Sequence, residues 1–105
     1  MKTQVSILHN DYPRHLRDMI EEKLQGLTKF GSRLVSMRAN IERQNEDHRV
    51  ELVANVGQGS VLVADVQGDT FRVVLDEALD RMTRQLKRHH DKFTVDRRHG
   101  GRPGH

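Results

Sequence analysis

The residues best suited to chemistry in this sequence are cations that recur near its C-terminal end. They are Arg81, Arg84, Lys87, Arg88 and Lys92. Four of them, all except Lys87, follow steps of three, four and four residues, so a helix would carry them on one stripe with Lys87 further round. Guanidinium and ammonium groups in such a row bind phosphate. The spacing therefore predicts an anion-binding surface on a helix.

The charge distribution favours the same interpretation. Residues 1–80 hold ten Lys/Arg and thirteen Asp/Glu, whereas residues 81–105 hold eight and two. Cations near the end of a helix also stabilise its negative pole and are common on solvated faces, which is the competing explanation. The segment carries more positive charge than is needed to stabilise a helix end, so we favour phosphate binding. The phosphate would belong to a nucleic acid or to an anionic membrane.

The remaining candidate residues carry a weaker signal. By wheel angle Lys23 lies on the apolar sector of the first predicted helix. It is either a lysine whose stem covers the edge of the core or a cation directed at the same ligand as Arg81. His89 falls on the apolar sector of the last helix and His90 outside it, so the two point about 100° apart and cannot share a metal ion.

Catalysis has no candidate constellation in this sequence. It contains no cysteine, no GxxxxGKS phosphate loop and no HExxH motif. We therefore expect neither an enzyme nor a metal site, and neither a cofactor nor a small-molecule substrate. The first twelve residues resemble neither a signal peptide nor a membrane anchor, and with the lack of cysteine this predicts a cytoplasmic protein without a membrane partner.

Four runs are predicted to be strands, and the first three alternate apolar and polar residues with a period of two, as half-buried strands do. They are residues 3–8, 34–42, 50–56 and 61–66. The fourth run is apolar on both sides, which favours a central place in the sheet. The polar run 43–47 and the string Gly57-Gln58-Gly59 are expected to be turns.

Two further segments repeat apolar residues every three or four positions, which predicts helices. The first begins at about Pro13, after potential capping residues, and ends near Gly31. The second follows Gly68-Asp69-Thr70 and carries the cations. The order β-α-β-β-β-α is typical of a two-layer α+β domain, with a mainly antiparallel four-stranded sheet and two helices on one face.

The last part of the sequence differs from the rest in composition. Residues 94–105 show no periodicity and are rich in glycine and arginine. This composition predicts a disordered basic tail that follows one folded domain, residues 1–93.

The order of elements and the string DTFRVVLDEALDRMTRQLKRHHDKF resemble the ribosome hibernation promoting factor family. That family includes the ribosome-associated translation inhibitor and was once called sigma-54 modulation protein. The most specific part is the progression Asp69, Phe71, Leu75-Asp76 and Arg84-Gln85-Leu86, with basic residues continuing to Lys92. The segment LRDMIEEKLQGLTKF at residues 16–30 is similar to the family's first helix and places Lys23 at its recurrent lysine. The chain resembles the short form of the family.

The resemblance implies a partner and a mechanism. Family members bind the small ribosomal subunit between head and body, against ribosomal RNA in the messenger and transfer RNA path, and so silence idle ribosomes in stationary phase or stress. The RNA-facing residues carried over by position are Lys23, Arg81, Arg84, Arg88 and Lys92, with Lys87 and His90 as neighbours. Family members often have lysine where this chain has Arg81, Arg88 and His90.

Two other functions remain open from the sequence. Double-stranded RNA-binding domains also combine an α-β-β-β-α order with phosphate contacts, although this chain adds an N-terminal strand and lacks a basic loop before its last helix. Alternatively, the chain is a protein interaction module that uses the exposed sheet face or an edge strand, with the basic helix serving solubility.

Overall fold

The computed structural model describes residues 1–8, 12–31, 33–57 and 59–100, and for residues 92–100 it describes the backbone alone. The described chain forms the predicted order of strands and helices. The elements are β1 (Lys2–Ile7), α1 (Leu16–Gly26), a 3-10 helix (Leu27–Phe30), β2 (Leu34–Gln44), β3 (Asp47–Val56), β4 (Ser60–Gly68) and α2 (Phe71–Gly100).

The four strands form one sheet in the order β1-β2-β3-β4. β1 pairs parallel with β2, and the other two pairs are antiparallel, so the predicted mainly antiparallel sheet is confirmed. One face of the sheet carries the buried apolar residues of each strand and is covered by both helices. Helix α1 and β1 contact each other, whereas α2 lies over β3 and β4. The two-layer α+β class is confirmed.

The position predicted for the last strand is wrong. β4 is at the edge of the sheet rather than in its centre. Its two outward valines, Val61 and Val63, remain 54% and 46% exposed on the face that no described helix covers. β-branched residues suit a pleated strand even where one face meets solvent, so apolar character on both sides did not require burial on both sides.

The strict alternation predicted for β2 is interrupted near its start. A register shift lies between Leu34 and Ser36, where Leu34 pairs with Val56 and Ser36 with Asn55. Such a bulge turns one residue out of the alternating pattern. Val35, whose alternation with Met37, Ala39 and Ile41 predicts a place on the core face, is therefore 60% exposed.

The first helix begins later than predicted. α1 starts at Leu16, after a turn in which the Leu16 amide donates to the Pro13 carbonyl. The potential capping residues 9–11 lie outside the described residues. Tyr12 packs against Phe71 and places its hydroxyl 2.6 Å from Nδ1 of His48, so the segment before α1 contacts β3 and the start of α2. The predicted end near Gly31 is confirmed, because the 3-10 helix stops at Phe30.

The hairpin between β2 and β3 is tighter than the predicted turn at 43–47. The strands extend to Gln44 and from Asp47, which leaves two connecting residues. One of them, Asn45, has a φ of 58°, a left-handed conformation that asparagine tolerates better than most residues.

Helix α2 has its backbone in helical conformation from Phe71 to Gly100, past the predicted domain end at residue 93. Residues 101–105, the last part of the predicted tail, lie outside the described residues, as do the side chains of 92–100. The disorder of segment 94–105 and the domain boundary therefore stay predictions. Val74, Leu75, Ala78, Met82 and Leu86 form the buried stripe of α2 and fix which side of the helix meets solvent.

Candidate nucleic-acid interface

Three of the predicted arginines lie together on α2. Arg81, Arg84 and Arg88, with Gln85 between them, line an open, shallow depression of about 350 Å³. Because the buried stripe of α2 packs on the sheet, this side of the helix faces solvent. The Gln85 amide fixes its orientation further, because Nε2 donates to the backbone carbonyl of Val63 on the free edge of β4 at 2.7 Å. The predicted anion-binding stripe therefore runs beside the β4 edge.

Two of these arginines already have carboxylate partners. Nη2 of Arg81 lies 2.8 Å from Oε1 of Glu77, and Nη2 of Arg84 lies 2.8 Å from Oδ2 of Asp80. Each acid precedes its arginine by one helical turn, the favourable orientation for such a pair. The sequence pattern indicated little acidic charge beside the cations, but these two carboxylates partly neutralise the N-terminal end of the stripe.

Arg88 has a different environment from the other two arginines. Its side chain is exposed, and within the part of the chain whose side chains are described no carboxylate pairs with it. It follows Arg84 by one turn and lies further from Glu77 and Asp80. Arg88 is therefore the arginine of the depression that no carboxylate engages in a described ion pair. Lys92, the last predicted member of the stripe, has its side chain outside the described residues.

Lys87 lies on the opposite flank of α2 from this depression. Its Nζ is 4.9 Å from the centroid of the Phe30 ring, which Lys29 also approaches, at 5.2 Å. Ammonium groups at this distance are attracted to an aromatic face. The 3-10 helix thus contacts α2 through Phe30, and a second cationic cluster forms from Lys29, Phe30 and Lys87. The sequence pattern placed Phe30 in the apolar stripe of the first helix and did not predict a cluster with Lys29 and Lys87.

The remaining predicted residues are separate from the arginine depression. Lys23 lies half-buried in the last turn of α1, which agrees with a stem along the core edge. His89 is half-buried and His90 is exposed, as their places on the helix suggested. Lys23 therefore shares neither an element nor a described contact with Arg81.

One further residue at the site was visible in the sequence but was not assigned a role. Gln85 belongs to the Arg84-Gln85-Leu86 motif, and its bond to the Val63 carbonyl needs the β4 edge, which a helical pattern cannot indicate. The described residues contain no group of three or more histidine, aspartate or glutamate side chains that could hold a metal ion. No described helix is long and apolar enough to cross a membrane.

A comparison with known families decides the relationship of this chain. The family described as Sigma 54 modulation protein / S30EA ribosomal protein matches residues 3–94. The chain belongs to this family. The match includes β1 from residue 3, all of α1, β2, β3 and β4, and α2 as far as residue 94, and it contains every predicted RNA-facing residue.

Individual relatives agree with the family. The chain is 27% identical over 103 residues to a ribosome hibernation promoting factor of Azotobacter vinelandii, covering 98% of this chain and 94% of that protein. A protein of the same name from Pseudomonas putida is 25% identical over 92 residues, covering 88% and 89%. The fold resembles the crystal structure of the N-terminal domain of Thermus thermophilus Protein Y, with a TM-score of 0.73, 19% identity and coverage of 85% and 99%.

Proposed function

We propose that this protein is a ribosome hibernation factor of the cytoplasm, active in stationary phase or stress. It binds ribosomal RNA of the small subunit in the messenger and transfer RNA path and inhibits translation by occupying that space. The observation that carries the proposal is the convergence of Arg81, Arg84 and Arg88 on one open depression. Membership of the family and the names of its relatives support the ribosomal partner.

The mechanism needs binding alone and no chemical step. Arginine presents a planar fork of donors that matches two oxygens of one phosphate, and it stays charged at any cellular pH. The helix holds the three arginines at fixed spacing, and the Glu77 and Asp80 pairs orient the forks of Arg81 and Arg84 before binding, whereas the Arg88 side chain becomes ordered on binding. An RNA backbone that bridges the three positions would hold the domain in place by phosphate contacts.

Co-sedimentation with purified small subunits tests the proposal directly. We expect the wild-type protein to follow the small subunit at low salt and to dissociate progressively as salt rises, because phosphate contacts release counterions. A protein that stays unbound at low salt would show that the small subunit is not the partner.

A matched pair of charge reversals tests the surface. Arg88→Glu places a carboxylate in the depression, whereas Arg72→Glu makes the same change on an exposed arginine about 160° round the same helix. We expect the Arg88→Glu variant to lose binding and the double variant, Arg84→Glu with Arg88→Glu, to lose it more completely. The Arg72→Glu variant should still bind. Circular dichroism confirms that each variant is folded. Equal binding by the two single variants would exclude the depression as the RNA-facing surface.

A further inference from the structure

The sheet face opposite the helices carries a second set of polar and charged side chains, arranged in rows across the strands. Two adjacent rows contain cations and no carboxylate. From β1 to β4 these rows read Lys2, Ser36, Asn55, Val61 and then Gln4, Arg38, Val53, Val63. We call these two rows the basic half of the outer face.

The other half of the outer face contains the carboxylates. The next row is Ser6, Asn40, Glu51 and Asp65, and Arg49 lies one row further along. Arg49 makes two hydrogen bonds to Asp65, of 2.9 Å and 2.6 Å. These bonds hold the pKa of the Asp65 carboxyl below its usual range and raise the pKa of Arg49. The single cation of this half is therefore already bound to acids.

The cations of the basic half have no such partners. Lys2 and Arg38 are both exposed, and neither forms an ion pair within the described chain. They lie on adjacent paired strands, offset by two residues, a diagonal separation of roughly 7–8 Å that long side chains span. Two uncompensated positive charges therefore point from one small area of the sheet into solvent.

A pocket lies between these two cations. It has a volume of about 170 Å³ and is lined by Lys2, Gln4, Ser36, Met37, Arg38 and Asn55. The Asn55 amide donates to the Ser36 hydroxyl oxygen at 2.9 Å, which leaves the Ser36 hydrogen available to a ligand. Ammonium, guanidinium, amide and hydroxyl donors thus surround a space without a carboxylate. Their common ligand is an anion rich in acceptor oxygens.

We propose that this pocket binds a backbone phosphate of ribosomal RNA, so that the domain contacts RNA on two opposite faces. The inference rests on the proposed function, which supplies the RNA. The arginines of α2 hold one segment of RNA, and Lys2 and Arg38 hold another across the thickness of the domain. Val61 and Val63, in the same two rows, give the surrounding surface an apolar platform against ribose and base.

Binding assays on small subunits test this second contact. The single variant Arg38→Gln removes one charge of the pocket, and the double variant with Lys2→Gln and Arg38→Gln removes both. The matched control is Arg72→Gln, on an exposed arginine away from both surfaces. We expect each substitution in the pocket to weaken binding about tenfold. The double variant should also reduce the slope of log affinity against log salt by about 1.5 to 2, because fewer counterions are released when two cations no longer neutralise phosphate.

Directed hydroxyl-radical cleavage identifies what faces the pocket. The sequence has no cysteine, so one introduced cysteine carries an iron chelate at a single position. Val61→Cys places it in the basic half, and Gln67→Cys places it on the same strand and face, about 20 Å along in the acidic half. We expect strong cleavage of ribosomal RNA from position 61 and weak cleavage from position 67.

The possible failures are distinguishable. If the wild-type protein does not bind small subunits, the proposed function fails and this inference fails with it. If Arg88→Glu abolishes binding but Arg38→Gln and the double variant bind as tightly as Arg72→Gln, the α2 surface stands and the second contact is wrong. Weakened binding without RNA cleavage from position 61 indicates a ribosomal protein at the pocket and overturns its assignment to RNA.

Discussion

Removing the carboxylates that pair with the α2 arginines should strengthen RNA binding. Glu77→Gln combined with Asp80→Asn leaves Arg81 and Arg84 without their ion-pair partners, which now lie at 2.8 Å in both pairs. Both carboxylates stand beside the depression that we assign to RNA, where they repel phosphate and compete for the guanidinium groups. Neutral amides of nearly the same shape remove both effects.

The magnitude follows from the geometry. All four side chains are about half exposed or more, so breaking each pair costs about 0.3–0.5 kcal/mol. A phosphate bound to either guanidinium would lie roughly 6 Å from the carboxylate, where repulsion in water is about 0.7 kcal/mol and salt reduces it further. The two substitutions together should therefore make the free energy of binding more favourable by about 1–2 kcal/mol, which corresponds to about five- to thirtyfold tighter binding.

The assay is titration of labelled protein with small subunits at two salt concentrations. Asp76→Asn is the control, because Asp76 pairs with Arg72 in the same one-turn arrangement but away from the depression. We expect the control to bind within about twofold of the wild type, and the double variant to lose less than about 1 kcal/mol of folding free energy. Unchanged or weaker binding by the double variant would refute the idea that Arg81 and Arg84 face phosphate.

Two other predictions concern stability. Met82→Ala should lower the free energy of unfolding by about 2–5 kcal/mol in urea titrations, because Met82 is fully buried between α2 and the sheet; a decrease below about 1 kcal/mol would contradict the packing. Arg49 lowers the pKa of Asp65. The contribution of this ion pair to the free energy of unfolding is therefore complete above about pH 4 and disappears as the pH falls through the lowered pKa. Asp65→Asn should therefore cost less than about 1 kcal/mol at about pH 7 and progressively less as the pH falls below about 4, and a constant difference across this range would exclude the link.

The sequence predicted the fold well because alternation and helical spacing report burial directly. Met37, Ala39 and Ile41 alternate and are buried, as the pattern indicated. The predictions were wrong where the burial of a residue does not follow from its place in the sequence pattern. Val35 lies at a bulge, and a register shift leaves no mark in the types of its neighbours. Val63 is apolar yet outward-facing, so its type alone could not distinguish an edge strand from a central one.

The candidate site was predictable in part. Helical spacing was enough to group Arg81, Arg84 and Arg88, because residues of one helix share a fixed geometry. Contacts between different elements could not be predicted from the sequence. Lys87 faces Phe30 of the 3-10 helix, and Gln85 bonds to the β4 edge, so the two sides of α2 face different surroundings. Lys2 and Arg38 are far apart in sequence and meet only through the parallel pairing of β1 with β2.

The environments of the three α2 arginines suggest different roles in the same surface. Arg81 and Arg84 are held in position by Glu77 and Asp80, so they lose little conformational freedom on binding but must exchange a carboxylate for a phosphate. Arg88 has no described acidic partner, so its full charge is available, but its side chain must become ordered on binding. The paired arginines therefore favour correct placement of the RNA, and Arg88 supplies more of the attraction. This division explains why charge reversal at Arg88 is the sharpest test of the surface.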